Sequence, residues 1–252
     1  MQKLSAVIIT FNEEKNIARC LQSLQGVADE IIVVDSGSTD KTEEICQSFN
    51  VRFIRQEWLG YIEQKNYAMS LAKYLYILSL DADEALSDEL KKSILAVKEN
   101  KTVDGYKFNR LNNYCGEKWI RHGSWYPDTK LRLWNKKKGR WSGINPHDCV
   151  KMENDTQVKH LKGDLLHYSY SSISEHIAQA NKHTDIMAQE YYMKAKSVSI
   201  LTVICKSIWK FFRDYFIKLG ILDGYYGLVI CLITAFTTFI KYVKLRQLYQ
   251  KK

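Results

Sequence analysis

The chain has 252 residues, of which 46% are hydrophobic and 26% charged, enough for one large α/β domain with a substantial core and an appendage. Its six cysteines form no Cys-x-x-Cys pair, which argues against a zinc ribbon or a thioredoxin-like motif and fits a reducing compartment. A strand is predicted from the first residues, without the basic and apolar regions of a secretory signal, so no cleaved signal peptide is expected.

The net charge of +9 lies in the C-terminal quarter. Residues 194–252 contain 11 Lys or Arg and only two acids, Asp214 and Asp223, whereas residues 1–193 contain 26 of each sign. A neutral body with a basic, apolar tail indicates an anionic surface as partner. Because the positive residues are mixed into apolar helices, a lipid surface is favoured and nucleic-acid binding is not expected.

The first hundred residues alternate between strand and helix patterns. Strands are predicted at 5–10, 30–35, 51–54 and 74–81. Helices are predicted at about 17–24, after the turn 36–40 with Ile45 and Phe49 on the inner face, at about 61–73, and from the N-cap Ser87 onward. Ile17, Leu21 and Leu24 recur at helical spacing, as do Leu90 and Ile94. This order predicts a parallel sheet with right-handed crossovers.

From about 105 to 170 the chain is aromatic, basic and irregular, and it includes both prolines, Pro127 and Pro146. Long structured loops are expected here, of the kind that carry binding function. A helix over 173–193 follows.

The tail holds two apolar segments. Residues 199–219 are amphipathic and aromatic, and residues 224–240 contain no charge, which is marginal for a membrane span. Lys241, Lys244 and Arg246 follow, as expected beside an anionic cytoplasmic leaflet. Helices on or entering the membrane surface are favoured, with an internal helical hairpin or dimer interface and a true span as alternatives.

Two carboxylates, Asp81 and Asp83, follow the apolar run that ends at Leu80. In open α/β sheets ligands bind beyond the carboxyl ends of strands, and hard cations such as Mg²⁺ or Mn²⁺ take carboxylate oxygens there. The strand context therefore favours a metal–diphosphate site over a solvated loop.

Three motifs occur in order, each at a strand end: 6–14 (AVIITFNEE), 32–40 (IVVDSGSTD) and 80–83 (LDAD). Together they resemble the family-2 inverting glycosyltransferases of the GT-A fold. The pieces 64–68 (QKNYA), 125–128 (WYPD) and 166–170 (LHYSY) narrow the resemblance to the bacterial lipopolysaccharide core β-1,4-glucosyltransferase group.

The resemblance implies an α/β fold with a Rossmann-like, mostly parallel central sheet and a C-terminal helical membrane-associating segment. Residues 1–193 would form the transferase domain, with a nucleotide-sugar-binding half at 1–104 and an acceptor-binding half at 105–193. Residues 194–252 would be the membrane-associating region.

The resemblance also assigns the donor site. Thr10, Asn12 and Glu13 would meet the nucleotide, Asp35 would accept a hydrogen bond from uracil, and Asp81 would face the ribose. Lys65 lies where the family has a basic residue near the nucleotide, although a solvated helix lysine fits its position too. Asp83 would ligate Mg²⁺ or Mn²⁺. His167 is a candidate metal ligand or diphosphate contact, although a lone His beside apolar residues is more often a hydrogen-bonded core residue.

Inversion needs a general base on the far side of the sugar. Asp148, after His147, is the favoured candidate, with Asp128 as the alternative. The family often has Glu at this position, so the shorter Asp leaves the placement of the base less fixed. Acceptor contacts are predicted for Trp125, Tyr126, Asp128, Arg132 and His147.

The expected activity is transfer of a hexose, with glucose from UDP-glucose as the favoured donor, to a membrane-anchored glycolipid such as the lipopolysaccharide inner core. Polyprenyl phosphate or another cell-envelope glycan is the alternative acceptor. Nucleotidyl transfer is disfavoured because the loop after the first strand has no glycine, and a non-catalytic fold is disfavoured because all the expected carboxylates are present. The expected location is the cytoplasm, with peripheral association at the inner membrane.

Overall fold

The computed structural model describes residues 2–100, 103–144, 147–195 and 199–250. Its contacts divide the chain into two units. The first comprises Met1–Arg110 and Thr129–His167, and the second comprises Leu111–Asp128 and Tyr168–Lys252. These units are defined by packing, and the functional division at residues 104 and 193 stays a prediction.

Eleven strands and seven α-helices are present in the described ranges. In chain order they are β1 (Leu4–Thr10), α1 (Ile17–Leu24), β2 (Glu30–Asp35), α2 (Thr42–Gln47), β3 (Arg52–Arg55), α3 (Tyr61–Ser70), β4 (Tyr76–Asp81), β5 (Glu84–Leu86), α4 (Asp88–Glu99), β6 (Gly105–Tyr114), β7 (Lys118–Ile120), β8 (Asp128–Asn135), β9 (Gly139–Ile144), β10 (His147–Met152), β11 (Val158–Tyr170), α5 (Ile173–Met193), α6 (Ile200–Phe212) and α7 (Gly224–Gln250).

The central sheet has the strand order β3-β2-β1-β4-β8-β6-β11-β5, with β7 paired to β6. The four strands β3, β2, β1 and β4 are mutually parallel, as predicted from the alternation of strands and helices. Beyond β4 the pairs β4–β8 and β5–β11 are antiparallel. Strands β9 and β10 form a separate antiparallel hairpin. The predicted α/β class is confirmed, with a mixed sheet in which β3, β2, β1 and β4 form the parallel part.

The core of the first unit follows the predicted periodicity. Ile17, Leu21 and Leu24 of α1 are fully buried, and so are Leu90 and Ile94 of α4. The Ser87 side chain caps α4 by accepting a hydrogen bond from the Leu90 amide at 3.2 Å. Local signals therefore determined the helices that cover the parallel strands.

The prediction of irregular loops over 105–170 was wrong, because six strands, β6 to β11, occupy most of this segment. Tyr106 and Phe108 are buried on either side of the exposed Lys107, which is the alternation typical of a strand. The aromatic content that suggested a binding loop belongs in large part to strands of the sheet.

The second unit contains α5, α6 and α7, with α7 packed against both other helices. Between α6 and α7 lie a π-helical turn, Arg213–Ile217, and a 3-10 turn, Gly220–Asp223. Gly227 is required where α7 meets this turn, since a Cβ there would lie 2.0 Å from the carbonyl oxygen of Gly220. The stretch Gly220–Gln250 is long and apolar enough to cross a membrane by length and composition. The helix extends ten residues beyond the uncharged run that defined it in the sequence.

Candidate active site

Three predicted nucleotide-site residues end neighbouring parallel strands. Thr10 of β1 pairs in register with Asp35 of β2, and Ile9 of β1 pairs with Asp81 of β4. The three polar side chains therefore start from the same edge of the sheet, where ligands bind in open α/β folds. The structure brings these residues together as the sequence predicted.

Asp35 is almost completely buried and organises the turn that follows it. Its Oδ2 accepts hydrogen bonds from the amides of Gly37 and Ser38, both at 2.9 Å, and its Oδ1 accepts one from the Ser38 hydroxyl. The Ser38 Oγ in turn accepts the Asn12 amide at 2.8 Å, which links the ends of β1 and β2. An ionised carboxylate offers about four acceptor positions, so about one remains for a ligand.

The residues after β1 are held to the same turn. The Asn12 side-chain oxygen accepts the Thr39 amide at 2.8 Å, and the Glu13 amide donates to Thr42 Oγ1 at 2.8 Å. Glu13 Oε2 accepts from the Asn16 side chain, also at 2.8 Å. Thr10 is buried, and within the described part of the chain its hydroxyl has no hydrogen-bond partner. These hydrogen bonds hold the loop after β1 against the turn after β2.

A buried ion network surrounds Asp81. Its Oδ1 lies 3.0 Å from Lys65 Nζ, and its Oδ2 accepts a hydrogen bond from Arg132 Nη2 at 3.0 Å. Burial alone would raise the pKa of Asp81, but the two positive charges outweigh it and hold that pKa well below its usual value. Lys65 is only 4% exposed, so the alternative interpretation of Lys65 as a solvated helix lysine is wrong.

Glu84 is a site residue that the sequence reasoning missed. Its side chain is fully buried, and its Oε2 accepts the Asp81 amide at 2.9 Å while its Oε1 accepts Arg132 Nη2 at 3.0 Å. Arg110 Nη1 lies 3.6 Å from the same Oε1. A signal was available, since Glu84 directly follows the Asp81-Ala82-Asp83 triplet.

Arg132 requires a correction. The sequence placed it among the acceptor-binding residues, but its side chain is 5% exposed and its guanidinium contacts Asp81 and Glu84. Although burial lowers the pKa of a guanidinium, the carboxylates of Glu84 and Asp81 raise the pKa of Arg132. Arg132 therefore lies with the carboxylates of Asp81 and Glu84 in the first unit, because β8 pairs directly with β4.

Asp148, the predicted base, lies in the β9–β10 hairpin opposite Gly143. Its Oδ2 accepts a hydrogen bond from Lys65 Nζ at 2.8 Å, so one ammonium group contacts both Asp81 and Asp148. The hairpin is fixed to α3 by two hydrogen bonds between the Asn66 side chain and the Trp141 backbone, of 3.0 and 3.1 Å.

The two predicted metal ligands are brought together. His167 of β11 pairs in register with Glu84 of β5, and its Nε2 lies 3.1 Å from Asp83 Oδ2. Both side chains are partly exposed, at 15% and 24%. Carboxylate oxygen and imidazole nitrogen are donors that Mn²⁺ accepts, so the pair fits a divalent cation. Within the described ranges no group of three or more His, Cys, Asp or Glu side chains surrounds a single point.

The other predicted acceptor residues are placed as follows. Trp125 lies in an aromatic cluster of the second unit, with ring centroids 5.6 Å from Tyr114 and 5.3 Å from His176. Tyr126 and Asp128 are partly exposed, and Asp128 is the first residue of β8. His147 begins β10, and its side chain lies outside the described part of the structure.

Parallel strands that end in carboxylates, with a carboxylate–imidazole pair beside them, define an α/β protein with a ligand site at the sheet edge. The chain belongs to glycosyl transferase family 2, whose family model matches residues 5–153. The resemblance seen in the sequence motifs is thereby confirmed, and the protein is a glycosyltransferase.

Curated relatives agree with this family. The chain is 35% identical to an uncharacterized glycosyltransferase of Rickettsia typhi, over 100% of this chain and 89% of the relative. It is 30% identical to the lipopolysaccharide core biosynthesis glycosyltransferase LpsC of Rhizobium meliloti, over 84% of this chain and 80% of the relative. Among solved structures, S. aureus TarS 1-349 aligns over 100% of this chain and 92% of that chain, with 14% identity and a TM-score of 0.49.

Proposed function

We propose that this glycosyltransferase moves glucose from UDP-glucose, with inversion, onto a membrane-anchored glycolipid of the lipopolysaccharide inner-core type. The observation that carries the proposal is the single Lys65 ammonium 3.0 Å from Asp81 and 2.8 Å from Asp148. This contact supports the proposal because Asp81, expected to face the nucleotide, and Asp148, expected to be the general base, contact the same ammonium group. The similarity to LpsC supports the acceptor class.

The donor would bind along the edge formed by β1, β2 and β4. Thr10, Asn12 and Glu13 would contact the nucleotide, and the remaining acceptor position of Asp35 would take the N–H of uracil. Cytosine carries no N–H at that ring position, so this contact would select uridine nucleotides. Asp81 would accept a ribose hydroxyl.

Asp83 and His167 would hold Mg²⁺ or Mn²⁺. When bound, a divalent cation at this position neutralises the charge on the departing diphosphate. Asp83 Oδ2 and His167 Nε2, which lie 3.1 Å apart, would supply two ligands. The other coordination positions of the cation would remain for diphosphate oxygens.

In the reaction, Asp148 would accept the proton of the acceptor hydroxyl as that oxygen attacks the anomeric carbon. The new glycosidic bond forms on one face while the bond to the diphosphate breaks on the other, and UDP leaves with the electron pair. Attack from the opposite face inverts the anomeric centre. The hydrogen bond from Lys65 would hold the Asp148 carboxylate in place for this step. Asp128 is the alternative base.

Trp125, Tyr126, Asp128 and His147 are proposed to contact the acceptor. Arg132 is not, because its guanidinium is buried against two carboxylates.

The second unit is proposed to hold the enzyme peripherally on the cytoplasmic face of the inner membrane. Large apolar side chains are exposed on α6, on the two turns and on α7. They are Ile200, Leu201, Ile204, Ile208, Trp209, Phe212, Phe216, Ile217, Leu219, Ile221, Leu222, Tyr225, Leu232 and Phe236. Eleven basic residues lie in the same quarter of the chain, which suits anionic headgroups.

The donor assignment is tested by thermal-shift binding of UDP-glucose, GDP-mannose and ADP-heptose, each with and without Mn²⁺. A ligand that binds only the folded protein raises its stability in proportion to ln(1 + [L]/Kd). We expect a Mn²⁺-dependent shift with UDP-glucose alone, lost in Asp83→Asn. A preference for the GDP or ADP sugar would refute the uridine assignment, and a shift that survives in Asp83→Asn would refute the metal site.

The acceptor is tested by incubating UDP-[¹⁴C]glucose with core-truncated lipopolysaccharide or with polyprenyl phosphate. Label in the lipopolysaccharide, stable to mild acid, is the expected result. An acid-labile, lipid-phosphate-linked product would move the assignment to the polyprenyl acceptor.

A further inference from the structure

Lys65 is buried between two carboxylates that are far apart in the sequence. Its Nζ lies 3.0 Å from Asp81 Oδ1 at the end of β4 and 2.8 Å from Asp148 Oδ2 in the β9–β10 hairpin. Trp141 of β9 covers the same ammonium, with the ring centroid 4.4 Å from Nζ. The lysine thus has three partners within the first unit, and two of them belong to the hairpin.

A second residue of α3 also holds the hairpin. Asn66, the next residue of α3, holds the Trp141 backbone at 3.0 and 3.1 Å. Two consecutive residues of α3 therefore fix the hairpin, Asn66 through the backbone of β9 and Lys65 through the carboxylate of β10. The Asn66 bonds fix the strand, whereas the Lys65 bond fixes the direction of the Asp148 side chain.

The charges that face Asp148 come from three elements. Lys65 on α3 contacts it directly, and Arg132 on β8 interacts with it electrostatically. Asp81 on β4 shares the Lys65 ammonium and is the nearby negative charge. Arg132 is already held by Asp81 and Glu84, so Lys65 is the main positive charge available to Asp148.

We propose that Lys65 is a positioning residue for the general base: its ammonium aims the Asp148 carboxylate. The inference rests on the proposed role of Asp148 as base. Without the ammonium, the Asp148 side chain would lose the hydrogen bond from Lys65 that holds its direction, and the Asp81 charge nearby would favour other directions.

The test measures kcat as UDP release from saturating UDP-glucose with core-truncated lipopolysaccharide, together with the Kd for UDP in the thermal-shift assay. For Lys65→Gln we expect a tenfold or greater loss of kcat, with a Kd for UDP within about threefold of the wild-type value, because the base is no longer aimed while the donor still binds. Lys65→Arg keeps a positive charge but presents a planar fork, so it should recover only part of kcat. Lys91→Gln, which removes a surface lysine paired with Asp88 on α4, is the matched control and should change nothing.

Two results would overturn the proposal. One is a kcat in Lys65→Gln within about twofold of the wild-type value. The other is a loss of kcat that is matched by an equally weaker Kd for UDP in the thermal-shift assay, which would make Lys65 a donor ligand only. Asp148→Asn separates this inference from the proposed function, because wild-type turnover in that variant would show that Asp148 is not the base, whatever Lys65 does.

A measurement that needs no turnover gives a second readout. Asp148→Asn is introduced into the wild type and into Lys65→Arg, whose planar fork cannot take the same geometry as the lysine. If Lys65 holds Asp148, the substitution lowers the unfolding temperature of the wild type by more than it lowers that of Lys65→Arg. Equal decreases in the two proteins would contradict the contact between Lys65 and Asp148. This comparison stays informative if Lys65→Gln does not fold.

Discussion

The Glu84 carboxylate is expected to be among the most costly single groups to remove from the first unit. It is completely buried, accepts the Asp81 amide at 2.9 Å and Arg132 at 3.0 Å, and lies 3.6 Å from Arg110. In Glu84→Ala the Asp81 amide loses its acceptor and Arg132 keeps a single carboxylate. Breaking a buried ion pair from one side costs about 3–5 kcal/mol. For a chain of this size that is a fall of roughly 6–20 °C in the unfolding temperature.

Differential scanning fluorimetry at neutral pH measures this fall. Glu84→Gln keeps an oxygen for the Asp81 amide and loses only the charge, so its cost should be smaller, about 1–3 kcal/mol. Glu57→Ala removes an exposed carboxylate from the loop before α3 and should change stability by no more than about 0.5 kcal/mol. If Glu84→Ala behaves like Glu57→Ala, the buried network contributes nothing and the reasoning is refuted.

Three further predictions concern the second unit. Burial lowers the pKa of His176 to about 4, below its unfolded value near 6.5, so the wild type should lose stability as the pH falls from about 6.5 to 4. His176→Asn should reduce this dependence of the unfolding temperature on pH in scanning calorimetry. An unchanged slope would show that His176 is not the group responsible. The Asp223 carboxylate accepts a hydrogen bond from the Arg121 amide at 3.1 Å, so Asp223→Ala should speed hydrogen exchange at the Arg121 amide. Unchanged protection of that amide, measured by mass spectrometry, would contradict this prediction. Replacing the exposed Trp209 and Phe212 by Ser should weaken sedimentation with phosphatidylglycerol vesicles several-fold, and equal binding would exclude α6 as the membrane contact.

Several features could be read from the sequence because they depend on local patterns. The runs that became β1, β2 and β4 are apolar and end in polar residues, and the helices between them bury residues at a spacing of three or four. In a parallel sheet the carboxyl ends of neighbouring strands share one edge, so the common location of Thr10, Asp35 and Asp81 followed from the strand order.

Tertiary structure decided which charges meet. Lys65 and Asp148 are 83 positions apart in the sequence, and Asp81 and Arg132 are 51 positions apart. No local sequence pattern predicts that the two residues of either pair are in contact. The strands over 105–170 were missed for the same reason, because partners such as Leu86 and Leu165, rather than local spacing, stabilise them. A surface lysine and a buried one have the same sequence signature, and only the packing of the hairpin on α3 makes Lys65 a buried ammonium between two carboxylates.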